Sequence, residues 1–330
     1  MSATDLPKIE LHHHLEGAAP PALIRDMAKA RHMDISGIFG PDGGYAYRDF
    51  AHFLRVYEAA TSVLKEPADF ARLTETVLER TAAEGVVYLE SFLSPDFCGR
   101  CDLSAWHEYL HAIAEAAADA ERRHGIVMRG VVTCIRHFGP DAARKAALCA
   151  AETAGDFIVG FGMAGDESKG RPRDFAYAFD MAREARLGLT VHAGEWGGPQ
   201  SVREALADLR VDRIGHGVRA IEDPRLVDHL AETGVVLEVC PGSNIALGLY
   251  RSWADHPIDR LRRAGVKVTV STDDPPFFGT TMTREYERLA DAFDWTDDTF
   301  AALNDVALAA AFCDEDTGAA IRKRLEGKNA

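Results

Sequence analysis

The sequence predicts an α/β chain folded as a (β/α)8 barrel of the TIM type, and three features carry that expectation. Short β-branched or apolar runs alternate with longer helical patterns from end to end, eight such runs can be counted, and the conspicuous polar residues sit at their C-terminal ends.

In chain order, the first run is Ile9–His14, which closes on His12-His13-His14. The connection that follows, Gly17 to Gly85, is far longer than any other and holds helical patterns at Pro21–Ala30, Asp49–Leu64 and Asp69–Ala83 around the turn-rich "FGPDGG". A barrel places such an insertion over its catalytic face, so residues 17–85 are expected to form a helical lid. The next runs are Val86–Leu93, Ile126–Ile135 and Phe157–Met163, followed by Leu189–His192, Arg213–Gly215, Val235–Val239 and Val266–Ser271. Amphipathic segments separate them: Asp141–Thr153, Pro172–Ala185 and Pro224–Thr233, the last stopped by Gly234 where a helix C-cap is expected. Helical patterns continue after the eighth run, and Arg322 to Ala330 reads as a frayed tail. No linker, repeat or low-complexity stretch interrupts the chain, so one domain is expected over residues 1–330.

Thirty-seven basic against 52 acidic side chains give a net charge of −15, with no Lys/Arg block to track phosphates. Such a field repels nucleic acid and anionic membrane, which leaves a small molecule as the expected partner. The opening "MSATDLPK" lacks a signal-peptide pattern, and no stretch approaches the ~20 apolar residues of a membrane span, so a cytoplasmic location is expected. Six scattered cysteines are expected to be free thiols. Cys98-Gly-Arg-Cys101 has metal-site spacing but no second pair, and it reads as a surface loop.

The strand ends hold the chemistry. The fifth run ends in "VHAGE" with His192 and Glu195, the sixth in "IGHG" with His216, and the eighth in "STDDP" with Asp273 and Asp274. Alternation along a strand sends His12 and His14 to one side and His13 to the other, so the outer pair can chelate one ion. His12, His14 and His192 offer three nitrogens and Asp273 an oxygen, a donor set suited to Zn²⁺ with a further position left for water. Zinc brings the pKa of such a water down to about 7.

"ELHHHLEGA", "YLESFLSP", "GMAGDE", "VHAGEWGGP", "RIGHGVRA", "CPGSN" and "STDDPPFF" occur in this order, and together they resemble the adenosine deaminase family of the amidohydrolase superfamily. The resemblance runs from about residue 7 to about residue 320. It implies that His12, His14, His192 and Asp273 hold one Zn²⁺ per chain, and that His216 orients and stabilises the attacking hydroxide. It implies further that Glu195 gives a proton to purine N1 as C6 is attacked, that Asp274 accepts a hydrogen bond at N7, and that the Gly165 backbone contacts N3. Phe157–Glu167 contains no lysine to bridge two metals, which favours a mononuclear site. The H-x-E…P-C-x-x-C pattern of the other zinc deaminases is absent.

The activity implied is hydrolysis of adenosine, and of 2′-deoxyadenosine, to inosine and ammonia, with free adenine or a modified nucleoside such as aminodeoxyfutalosine as the alternative. One departure bears on this choice. Adenosine deaminases usually carry an aspartate where this chain has Glu16, and that side chain is expected at the pocket mouth, against a ribose hydroxyl. Relatives acting on adenine or modified nucleosides often carry Glu there, whereas "GMAGDE" and "STDDP" resemble the nucleoside branch. A non-catalytic nucleoside-binding barrel would have lost a ligand or Glu195, and this chain has lost neither.

Overall fold

The computed structural model describes residue 3 and residues 6–327. Eight strands run in sequence order around a sheet: β1 Lys8–His14, β2 Val86–Leu93, β3 Val127–Ile135, β4 Ile158–Ala164, β5 Gly188–Ala193, β6 Arg213–His216, β7 Val236–Val239 and β8 Val268–Val270. Every neighbouring pair is parallel. A parallel sheet wrapped in helices hides both faces, which is why β1 and β2 are buried at every position, β2 as a mostly apolar run and β1 with Lys8, Glu10 and its three histidines buried among Ile9 and Leu11. The eighth strand is shorter than the run that announced it.

The seam between the first and last strands is closed by backbone hydrogen bonds from His14 N to Asp273 O (3.0 Å) and from Asp273 N to His12 O (3.1 Å). The barrel is therefore stitched shut by the same residues the sequence singles out. At the opposite end Phe312 fills the opening, where a Cβ on Gly188 would lie 2.2 Å from its ring. The Arg213 guanidinium stacks on that ring at 3.6 Å.

Between β1 and β2 lie α1 Pro21–Ala30, α2 Phe50–Thr61 and α3 Pro67–Ala83. Helix α2 starts where Asp49 accepts a hydrogen bond from His52 N at 2.7 Å, a side-chain cap that satisfies one of the free N–H groups of the first turn. The remaining helices are α4 Leu103–His124, α5 Pro140–Glu152, α6 Ala176–Glu184, α7 Gly198–Glu204, α8 Pro224–Thr233, α9 Pro241–Ala246, α10 Ile258–Arg263, α11 Pro275–Phe278, α12 Met282–Phe293, α13 Asp297–Ala310 and α14 Glu315–Leu325. Asp223 caps the start of α8, and Gly234 ends it in the left-handed region at φ 72°, as the sequence leads one to expect.

Three local expectations are corrected. The Pro172–Ala185 pattern divides into a 3-10 turn, Pro172–Phe175, and α6. The expected tail is helical as far as Leu325, because Ile321 buries its side chain against the barrel; residues 328–330 lie outside the described residues. The Cys98–Cys101 segment is not a surface loop at its first cysteine, since Cys98 is fully buried. No helix among the described residues is long and apolar enough to cross a membrane.

Candidate active site

Five side chains converge at the C-terminal mouth of the barrel. His12 and His14 reach it from the end of β1, His192 from β5, His216 from β6, and Asp273 from the turn after β8. The His12 ring lies 5.5 Å from His14, 4.5 Å from His192 and 4.8 Å from His216, centroid to centroid. Asp273 Oδ1 is 3.3 Å from His14 Nε2 and 3.8 Å from His12 Nε2. His13 is aimed elsewhere: its Nδ1 lies 3.1 Å from Ser91 Oγ, and its ring faces a separate cavity between β1 and the outer helices.

The close approach of the imidazoles depends on a residue with no side chain. A Cβ on Gly215 would stand 2.9 Å from His12 and 3.1 Å from His192, so only glycine fits between the rings. His216 and Asp273 are held at φ 59° and 66°, in the left-handed region that non-glycine residues enter at a cost of about 1–3 kcal/mol each. Both strained positions lie at this mouth, where the bend turns the side chains inward.

Burial sets the charge state. It pushes the His14 imidazole down to about 3 and the His216 imidazole down to about 4, and it lowers His12 and His192 well below the usual imidazole range. The rings are neutral at pH 7 and keep lone pairs for a cation. His12 Nε2 and His192 Nε2 are buried without a hydrogen-bond partner, which is the condition a bound ion would satisfy. Among the described residues three groups are compact enough to hold one, His12–His14–Asp273, His12–His192–His216 and His216–Cys240–Asp273.

An outer layer orients these groups. The carboxylate of Glu238, on β7, accepts from His12 Nδ1 at 2.7 Å, from Thr190 Oγ1 at 2.9 Å and from Arg213 Nε at 2.6 Å, and Arg213 reaches on to Glu90 at 2.6 Å. Because a carboxylate only accepts, His12 carries its proton on Nδ1 and presents the Nε2 lone pair inward. Glu238→Gln is therefore expected to weaken divalent-metal binding by about 10–100-fold, as measured by chelator competition. Ser243 Oγ donates to Asp273 Oδ2 at 2.7 Å. Glu167 accepts from the backbone N–H groups of Gly194, Glu195, Trp196 and Gly197 and from the Ser201 hydroxyl, and so fixes the loop that carries Glu195.

Glu195, Asp274 and Gly165 face the same narrow cavity, of about 60 Å³. Burial, with Asp273 and Glu167 nearby, raises the Glu195 carboxyl well above the usual carboxylate range. Asp274 is raised too, by burial and then by Asp273, Glu16 and Glu195, and its Oδ1 is buried without a partner. Glu16 is 2% exposed: the turn after β1 carries it to the end of β2, where Oε1 accepts from Ser94 N at 3.1 Å, while its Oε2 is buried without a partner.

The sequence reading passed over Glu238, Ser243, Glu167 and Gly215. A lone acid inside the apolar "VLEVC" was the available signal for Glu238, and "GMAGDE" and "CPGSN" already contained Glu167 and Ser243 without showing what they touch. The upper wall of the cavity is largely apolar. Phe50, Phe53, Leu54 and Tyr57 of α2 meet Phe97, Leu247 and Phe278, Phe50 packs on Trp196 at 5.0 Å, and Glu58 and His137, 3.4 Å apart, add a polar pair to the same wall.

The family model for adenosine deaminase matches residues 7–328. The adenine deaminase of Chelativorans sp. (strain BNC1) is 49% identical over 321 residues, covering 97% of this chain and 98% of that protein. Among solved structures, the adenine deaminase of Arthrobacter aurescens superposes with a TM-score of 0.88 at 29% identity, covering 98% of each chain. An amidohydrolase from Burkholderia ambifaria, solved with bound Zn, superposes with a TM-score of 0.88 at 28% identity, covering 99% of this chain and 91% of that one.

Proposed function

The chain belongs to the adenosine deaminase family, and on that footing we propose that it removes the 6-amino group of free adenine by hydrolysis, giving hypoxanthine and ammonia. The sequence reading ranked adenosine first and adenine second; the similarity to adenine deaminases favours the reverse order. The observation that carries the choice is the 49% identity to an adenine deaminase along nearly the whole chain. The cavity floor is polar, with Glu195, Asp274 and the histidines, and the α2 side sets Phe50, Phe53 and Leu54 beside the Tyr57 hydroxyl and the Glu58 carboxylate, the apolar part of it suited to cover a flat base. In this reading residues 17–85 are the lid, and α2 is the part that covers the base.

His12, His14, His192 and Asp273 would hold one divalent ion, which we take to be zinc, since the orphaned nitrogens of His12 and His192 fit it and the Burkholderia ambifaria relative was solved with Zn. When bound, such an ion supplies Lewis acidity and a water whose pKa is brought down to about 7. The protein's own groups do the rest. Glu195, kept protonated by burial, gives its proton to N1 and so makes C6 electrophilic. His216 stands 3.8 Å from Glu195 Oε2, placed to steady negative charge developing between them. Asp274, whose carboxyl is raised by burial and by Asp273, Glu16 and Glu195 and whose Oδ1 is buried without a partner, would be the group that meets N7. The Gly165 backbone lies where it can meet N3. Glu16 then braces the β1–β2 seam and touches no sugar.

An absorbance assay on the zinc-loaded protein tests this directly. Adenine is expected to be turned over at least tenfold more efficiently, in kcat/KM, than adenosine, 2′-deoxyadenosine or aminodeoxyfutalosine, since a missed fit of 1.4 kcal/mol already costs that factor. A higher kcat/KM for adenosine would return the nucleoside reading to first place.

A further inference from the structure

His12 and His216 are both neutral, buried histidines pointing at one space, and their rings alone do not say which offers a lone pair and which an N–H. Their outer partners do. The decisive group is the backbone N–H of Ile258, at the start of α10, which can only donate; it lies 3.3 Å from His256 Nδ1. The His256 ring is 1% exposed, and burial pushes it down to about 3, so it is neutral and carries its single proton on Nε2. That N–H stands 3.1 Å from Asn244 Oδ1. The Asn244 amide is thereby oriented, its oxygen accepting from His256 and its NH2 turned to His216 Nδ1 at 3.4 Å. An amide nitrogen only donates, so His216 Nδ1 must accept, and the one proton an imidazole always keeps then sits on Nε2, 3.8 Å from Glu195 and 3.9 Å from Asp273.

We propose that Asn244 and His256 are positioning residues that set the tautomer of His216, relaying the fixed polarity of the Ile258 backbone N–H so that His216 presents an N–H donor to the reacting centre. The inference rests on the reading of this site as a deaminase centre. It also separates His216 from the two histidines it neighbours. At His12 the outer partner is a carboxylate, which demands the proton on Nδ1 and frees Nε2 for a cation. At His216 the outer partner is an amide N–H, which demands the opposite. One residue type is thus given two roles by the polarity of what stands behind it, and His216 is not a metal ligand through Nε2 even though it lies within ligand distance of His12 and His192.

The test uses the full chain, labelled with ¹⁵N-histidine, loaded with Zn²⁺ and free of substrate, and reads ring protonation from two-bond ¹H–¹⁵N correlations, with His216→Gln identifying the signal. Wild-type His216 is expected to be protonated on Nε2. Asn244→Asp, which replaces the donor by an acceptor of the same size, should move that proton to Nδ1, keep the zinc, and lower kcat on adenine by about 10–100-fold with KM little changed. His256→Gln keeps an N–H for Asn244 and should retain more of kcat than His256→Leu. A wild-type His216 protonated on Nδ1, or a His256→Leu enzyme as fast as His256→Gln, overturns the proposal. The spectrum is taken without substrate, so its outcome is independent of whether adenine is the right one.

Discussion

Glu195→Gln is expected to keep its full metal content and to lose about 10²–10⁴-fold in kcat on adenine, the range that general acid–base catalysis supplies. The carboxyl is buried and raised well above the usual carboxylate range, in a loop pinned by the Glu167 carboxylate, which suits it to give a proton to N1 as C6 is attacked. An amide of the same shape can still touch the ring, but it has no acidic proton to give and none to take back. The loss should therefore fall on kcat, with KM changed little, because the contact survives in the ground state and fails only as charge develops. Steady-state kinetics beside elemental analysis of the same preparation reads both quantities. Near-wild-type turnover by Glu195→Gln would mean that another group moves the proton.

His192→Ala and Asp273→Ala should each lose bound metal and activity together. Wild type should carry about one zinc per chain, because three imidazoles and one carboxylate supply the donors of a single site and, among the described residues, no second set of the same kind stands beside them. The two substitutions remove donors from opposite sides of the barrel mouth, His192 at the end of β5 and Asp273 at the seam that closes on β1. His13→Ala is the matched control, since that ring contacts Ser91 and faces a different cavity, and it should retain its zinc. A His192→Ala protein with full zinc and full turnover would overturn the ligand assignment, and two metals per chain would overturn the single site.

The sequence was sufficient wherever the controlling signal lies within a few residues. Each of the eight strands is a short apolar run set off by turns or helical pattern, a local signal, and all eight appear within a few residues of their expected bounds. The His12–His14 pair was legible because alternation is a property of any strand, and His192, His216 and Asp273 because barrel strands converge at their C-terminal ends. What the tertiary structure alone decided depends on partners distant in sequence. His12 meets Glu238 across 226 residues, and nothing near His12 says that its proton will be drawn to Nδ1. His216 looks no different in the sequence, yet Asn244 and His256 give it the opposite polarity. Glu16 follows the metal-site pair directly, and a turn too short to be read by periodicity brings its Oε1 to the Ser94 N–H at the end of β2. The face that α2 turns to the cavity follows the same rule. The sequence announces an amphipathic helix, but only packing decides that Phe50, Phe53, Leu54 and Tyr57 face the cavity, because a helix can turn its apolar stripe toward any surface that buries it.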